Sequence, residues 1–160
     1  MTQVFASERI RYVEVSEELV PDYLRMVNDM EHVGRFIGRR TEPVSEVKER
    51  KWVREKLAEK AVLFSMVEKS SGSFIGNIEL MDLRDSEAEL GIAITAAKQD
   101  LGFGTEAIRA VTDYAFVQLG LKQVFLKVYP DNARAIRVYE KCGFREYDRT
   151  EEDVYMEFLR

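Results

Sequence analysis

Two stretches of the C-terminal half carry residue types and spacings that can do chemistry. The first is Gln99-Asp100-Leu101-Gly102-Phe103-Gly104-Thr105-Glu106-Ala107. It reads as a glycine loop opening a helix. Gly102 and Gly104 lack Cβ atoms, so a ligand can approach the backbone closely. The first turn of the following helix leaves N–H groups unpaired, and the helix dipole adds partial positive charge. Pyrophosphate is a natural occupant, and the Gln99 side chain can donate one more hydrogen bond. The second stretch is Asn132-Ala133-Arg134-Ala135-Ile136-Arg137-Val138-Tyr139-Glu140-Lys141-Cys142-Gly143-Phe144. Asn132 and Tyr139 stand seven residues apart, nearly two helical turns, so an amide and a phenol share one face. The pair of stretches suggests a cofactor with a pyrophosphate at one end and a reactive group at the other.

The elements that must position these residues are legible in outline. Alternation over Glu8–Val15 predicts a first strand. A helical pattern covers Glu17–Asn28, with Pro21 tolerable near its start. Ser45 can cap a helix running to about Lys60. Strands are predicted over Val62–Val67, Phe74–Leu83 and Glu87–Ile94, and their short connections favour antiparallel hairpins. A helix from about Gly104 to Leu119 shows Ile108, Val111, Ala115 and Leu119 on one face, and Gly120 is well placed to stop it. Gln123–Val128 reads as a strand, Asn132–Lys141 as a helix ended by Gly143, and Phe144–Asp148 with Val154–Leu159 as a closing hairpin. The order is βααβββαβαββ. The strand–helix–strand unit over Ile92–Val128 implies a parallel pair inside a mixed sheet. The fold class is therefore α/β of the α+β kind, in one continuous domain over residues 1–160.

Composition narrows the function classes. At 46% hydrophobic and 33% charged, the chain reads as a soluble globular protein. A net charge of -5 argues against nucleic acid and suits a cationic partner better. One cysteine, Cys142, and one histidine, His32, exclude a disulfide within the chain, a thiolate cluster and any metal site needing two histidines. No metal is expected. The N-terminus lacks a basic segment followed by an apolar run, and no stretch nears the ~20 apolar residues of a membrane span. A cytoplasmic protein without a membrane partner is expected. A homodimer is compatible with the chain.

The combined motif resembles the GNAT superfamily of acetyl-CoA-dependent N-acetyltransferases. It pairs Gln99–Gly104 with Asn132-x2-Ala135-x3-Tyr139-Glu140-Lys141-x-Gly143-Phe144, which begins 28 residues after Gly104. Ile75-Gly76-Asn77-Ile78-Glu79-Leu80 and Ala88-Glu89-Leu90-Gly91-Ile92 are similar to the branch of ribosomal-protein N-terminal and spermidine acetyltransferases. The resemblance implies a GNAT-like, mostly antiparallel sheet flanked by helices. It implies that Gln99, Asp100, Leu101, Gly102, Phe103, Gly104 and Thr105 wrap the pyrophosphate of acetyl-CoA. Ile92, Ala93 and Ile94 would pair with the pantetheine arm, and Asn132 would bond the cofactor. Tyr139 matches the usual general acid. Glu89 matches a common base position, with Glu79 as second candidate.

The implied activity is acetyl transfer to a primary amine on a peptide N-terminus, a polyamine or another small molecule, by direct attack in a ternary complex. An amine of pKa about 10 must lose a proton before attack, which a carboxylate can take. The alternative is a non-catalytic acyl-CoA-binding sensor of the same fold. A dinucleotide fingerprint, G-x-G-x-x-A over Gly102–Ala107, is disfavoured: Thr95–Leu101 separates the loop from its strand, and no acidic residue ends the next strand. One departure from the family pattern is that Asp100 and Leu101 stand where the second position is commonly basic and the first is glycine or arginine. Lys98 is the nearest compensating charge along the chain. Cys142 reads as a small buried residue, not as an acyl carrier.

Overall fold

Eight extended segments pair into one sheet in the computed structural model, which describes residues 1–38 and 40–160. In chain order the elements are β1 (Gln3–Ala6), β2 (Ile10–Glu14), α1 (Val20–Val27), α2 (Glu46–Ala58), β3 (Val62–Glu68), β4 (Phe74–Arg84), β5 (Glu87–Ile94), α3 (Phe103–Val117), β6 (Gln123–Val128), α4 (Ala133–Lys141), β7 (Arg145–Arg149) and β8 (Val154–Leu159). Strand order across the sheet is β1-β2-β3-β4-β5-β6-β8-β7. The β5–β6 pair is parallel, as the intervening helix requires. The strand expected over Glu8–Val15 is β2, and it is preceded by a strand the sequence reading did not include, β1, with which it forms a hairpin. In β1 only Phe5 is half-buried, so an edge strand left no alternation to read. The helix expected from Glu17 begins as a 3-10 turn over Glu17–Leu19, where Ser16 Oγ accepts from Glu18 N–H at 3.1 Å. Pro21 sits in the first turn of α1, where its missing N–H costs nothing. Among the described residues no helix is long and apolar enough to cross a membrane.

Contacts divide the chain into two compact units. The first comprises Met1–Glu79 and Ile92–Phe103. Here β1, β2 and β3 are antiparallel, with Tyr12 opposite Met66. Val20, Tyr23 and Met26 of α1 and Val53 of α2 bury fully or nearly so against Val13, Leu63 and Val67. Each such side chain contributes about 1.5–3 kcal/mol of transfer free energy. Tyr23 is packed edge-on to Trp52 at 5.9 Å, and its hydroxyl meets Ser65 Oγ at 2.5 Å; Ser65 in turn donates to Asn77 Oδ1 at 2.8 Å. A buried phenol is thereby satisfied. Ser45 caps α2, accepting from Lys48 N–H at 3.2 Å.

The second unit comprises Leu80–Gly91 and Gly104–Arg160. β6 pairs antiparallel with β8 along its whole length, and β7 pairs with the other edge of β8. Helix α3 buries Ala107, Ile108, Val111 and Ala115, one helical face. Helix α4 ends at Gly143, whose φ of 99° lets Phe144 N–H return to the Tyr139 carbonyl at 3.1 Å. That return seats Phe144 edge-on to Phe158 at 5.6 Å.

One close approach governs the start of β4. A Cβ on Gly76 would lie 2.0 Å from the Ala93 carbonyl oxygen. The obstacle is backbone, so the strands must move apart to admit a methyl. Gly76→Ala is expected to lose about 1–3 kcal/mol, the ordinary cost of overpacking. A thermal melt checks this; an unchanged Tm would show that the strands can part freely.

Candidate functional site

The end of β5 and the loop after it are built within the first unit. The ladder of β5 with β6 covers only Glu87–Glu89 against Gln123–Phe125, while β5 itself runs on to Ile94. Beyond Glu89, no pairing of this strand with β6 is found among the described residues. Ile92, Ala93 and Ile94 lie on this stretch, each half-buried. A 3-10 turn over Ala96–Lys98 then reverses the chain, with Gln99 N–H donating to Ala96 O at 3.2 Å.

Gln99 departs from expectation. Its Nε2 donates to Ile94 O at 2.8 Å and to His32 O at 3.4 Å. The amide braces the loop against the strand it follows, because a carbonyl left over at the strand end is the nearest acceptor. It is not aimed outward as a further donor to a ligand. Past it, Asp100 takes φ 60° and Gly102 φ 84°. Leu101 is 55% exposed, Gly102 is exposed, and Phe103 is buried at 2% as the anchor of the turn. Among the described residues, no main-chain acceptor outside the helix pairs with the main-chain N–H groups of residues 101 to 105. Main-chain donors at a helix start fit a diphosphate.

Charge around the loop also differs from expectation. Lys98 Nζ bonds Glu68 Oε1 at 2.8 Å, so this cation is engaged on β3. Its hydrogen bond, followed by that of Ser71, holds the Glu68 carboxyl below the usual carboxylate range. Arg9, which no local pattern tied to the loop, donates from Nη1 to Leu101 O at 3.0 Å and lies 4.2 Å over the Phe103 ring.

The remaining candidates sit on both units. Glu79 is half-buried on β4 in the first, on the face of the strand opposite Ile78 and Leu80. Glu89 belongs to the second, half-buried on β5. Burial pushes its carboxyl up, Lys127 opposes this, and Asp82 adds to it. Gly104 and Thr105 continue the first turn of α3, and the Cys142 thiol points at the Thr105 carbonyl, 3.7 Å away. Burial also pushes the Cys142 thiol up, which disfavours a nucleophilic thiolate.

Asn132 caps α4: its Oδ1 accepts from Ala135 N–H at 3.3 Å, which leaves the amide hydrogens for another acceptor. Tyr139 is 8% exposed and tilted against Phe144 at 5.9 Å. Burial, with a smaller contribution from Cys142, pushes its phenol up to about 12. No sealed side-chain polar atom among the described residues lacks a hydrogen-bond partner. The Tyr139 hydroxyl has none among the described residues, so its oxygen is not fully sealed although the ring is buried. His32 is exposed and paired with Asp29 through Nδ1 at 3.0 Å.

This geometry has counterparts in known proteins. The family model described as an acetyltransferase (GNAT) domain matches residues 9–145. A spermidine N(1)-acetyltransferase of Vibrio cholerae is 32% identical over 93 residues, which is 57% of this chain and 54% of that protein. The chain thus spans about half the length of this curated relative. Among solved structures, an acetyltransferase of the GNAT family from Bacillus anthracis superposes with a TM-score of 0.85 at 19% identity, covering 96% of each chain. A Vibrio cholerae spermidine N-acetyltransferase in complex with CoA and spermine gives 0.80 at 21% identity, again over 96% of each. At these identities the structures establish the fold, and the match over residues 9–145 establishes the family: the chain belongs to the GNAT acetyltransferases.

Proposed function

We propose that the chain is a single N-acetyltransferase domain over residues 1–160 that moves an acetyl group from acetyl-CoA to a primary amine by direct attack in a ternary complex. The observation that carries this reading is the stretch of β5 beyond its ladder with β6, running through Ile92–Ile94 into a glycine loop at Leu101–Phe103 whose N–H groups meet no main-chain acceptor outside the helix among the described residues. A flexible arm carrying amides can lie along such an edge, and a diphosphate can end on such a loop. A polyamine is the first acceptor class to test, supported by the Vibrio cholerae relative and by the net charge of -5. A peptide N-terminus or another small amine is the next.

When bound, acetyl-CoA supplies the activated acetyl group. The chain's own groups handle protons. Glu89 is the proposed base at a carboxylate oxygen, since burial raises its affinity for a proton above that of an exposed carboxylate. Glu79 is the second candidate. Main-chain N–H groups near Ile92–Ile94 are proposed to hold the carbonyl oxygen as charge builds on it. The Tyr139 hydroxyl is the proposed donor. At a pKa of about 12 it stays protonated throughout the working range. Complete transfer to a thiolate of pKa near 8.5 would be uphill by about 5 kcal/mol, so hydrogen-bond donation with water finishing the transfer is the favoured role.

The test is a panel of polyamines, peptides and small amines with acetyl-CoA, read by release of thiol. Turnover on an amine is expected; binding with hydrolysis alone would mark a sensor. Tyr139→Phe is expected to lower kcat about 10²-fold and to leave KM for acetyl-CoA within about threefold. The Tm of that variant should not move, because the lost hydroxyl has no hydrogen-bond partner among the described residues. Glu89 must be deprotonated to act, so wild-type kcat/KM should rise with pH through a limb above the ordinary carboxylate range. Glu89→Gln should lower kcat/KM about 10²-fold and erase that limb; an unaltered pH profile would move the base to Glu79 or to water.

A further inference from the structure

The diphosphate loop proposed above contains no cation of its own. From Gln99 to Ile108 the sequence holds Asp100 and Glu106 but neither lysine nor arginine, and Lys98 is engaged with Glu68. The cation seated on the loop comes from 92 positions earlier. Arg9 stands immediately before β2, with its main chain pinned by Lys69 N–H, which donates to Arg9 O at 2.9 Å. Its side chain meets three consecutive loop residues. Nη1 donates to the Leu101 carbonyl at 3.0 Å, Nη2 lies 3.2 Å from where a Gly102 Cβ would be, and the guanidinium covers the Phe103 ring at 4.2 Å. An arginine can do all three at once because its donors lie in one rigid plane that also stacks; a lysine ammonium is a point charge on a flexible stem.

The consequence follows from peptide geometry. In a trans peptide the C=O of one residue and the N–H of the next point in opposite directions. Arg9 captures the Leu101 oxygen, so the Gly102 N–H of the same peptide is turned away from the guanidinium. Gly102 is exposed there with φ 84°. We propose that Arg9 is a positioning residue for cofactor binding: it clamps the Leu101–Gly102 peptide so that the Gly102 N–H is presented to the diphosphate, and it offsets the acidic charge of the loop. This rests on the reading of the loop as a coenzyme A site.

The experiment titrates CoA by calorimetry into the wild type, Arg9→Gln and Arg9→Lys, and measures KM and kcat for acetyl-CoA and for S-acetylpantetheine, which has no diphosphate. Arg9→Gln is expected to weaken CoA binding about tenfold and to raise the ratio of KM for acetyl-CoA to KM for S-acetylpantetheine by a similar factor. Its kcat at saturating acetyl-CoA should fall less than threefold. Arg9→Lys should recover only part of the affinity, since charge returns without the planar fork. A CoA affinity unchanged in Arg9→Gln, an equal rise in both KM values, or full recovery by lysine would each overturn the proposal while leaving the acetyltransferase reading intact. A wild type that binds no CoA would overturn both.

Discussion

A strand that outruns its partner is the constraint on which the other features turn. β5 keeps its parallel ladder with β6 for three residues and then continues to Ile94 beside β4, beyond that ladder. Main-chain donors and acceptors need partners, and an exposed strand edge invites another chain or a ligand. The fold keeps the edge in place by other means. Gly76 lets the Ala93 carbonyl approach too closely for any side chain, Thr95 N–H bonds Ile75 O at 2.9 Å, and Gln99 bonds the Ile94 carbonyl. The end of β5 is therefore held against β4, and the glycine loop begins at a defined point. A pre-formed edge of this kind binds without the entropy cost of ordering it.

Burial sets the proton chemistry of the second unit. The same cause raises the proton affinity of Glu89, Tyr139 and Cys142, with different consequences for each. For a carboxylate it means a stronger base. For a phenol it means a donor that stays neutral, which limits it to hydrogen-bond donation under mild conditions. For a thiol it means an unreactive side chain, whose role is packing beside the first turn of α3. These three outcomes agree with a direct-transfer reading and argue against an acyl-enzyme on Cys142.

The loop illustrates how one local sequence can be satisfied by distant groups. Gln99 and Lys98 both point away from a ligand role, toward a strand carbonyl and toward Glu68. Their apparent functions pass to other atoms. Main-chain N–H groups are the donors the proposal uses, and Arg9 is a cation in contact with the loop. Positive φ at Asp100 and Gly102 makes this economical, because a turn so tight exposes backbone and not side chains.

Features with a local physical cause were readable from the chain alone. The bounds of β5, β6 and β8 follow from alternation between turn residues, the cap at Ser45 from its hydroxyl, the stop at Gly143 from its permitted φ, and the parallel β5–β6 pair from the intervening helix. The motif pairing Gln99–Gly104 with Asn132–Phe144 was enough for the family, since it depends on spacing along helices and turns. β1 was hidden because an exposed edge strand has no buried face to pattern. What only the tertiary structure decided is which side chains are engaged and how far each is removed from water. Lys98 is joined to a residue 30 positions away, Arg9 to one 92 away, and the phenol of Tyr139 is lifted to about 12 by everything packed around it. Pairings across such distances leave no periodic trace, and desolvation is a property of the assembled neighbourhood, not of the residue.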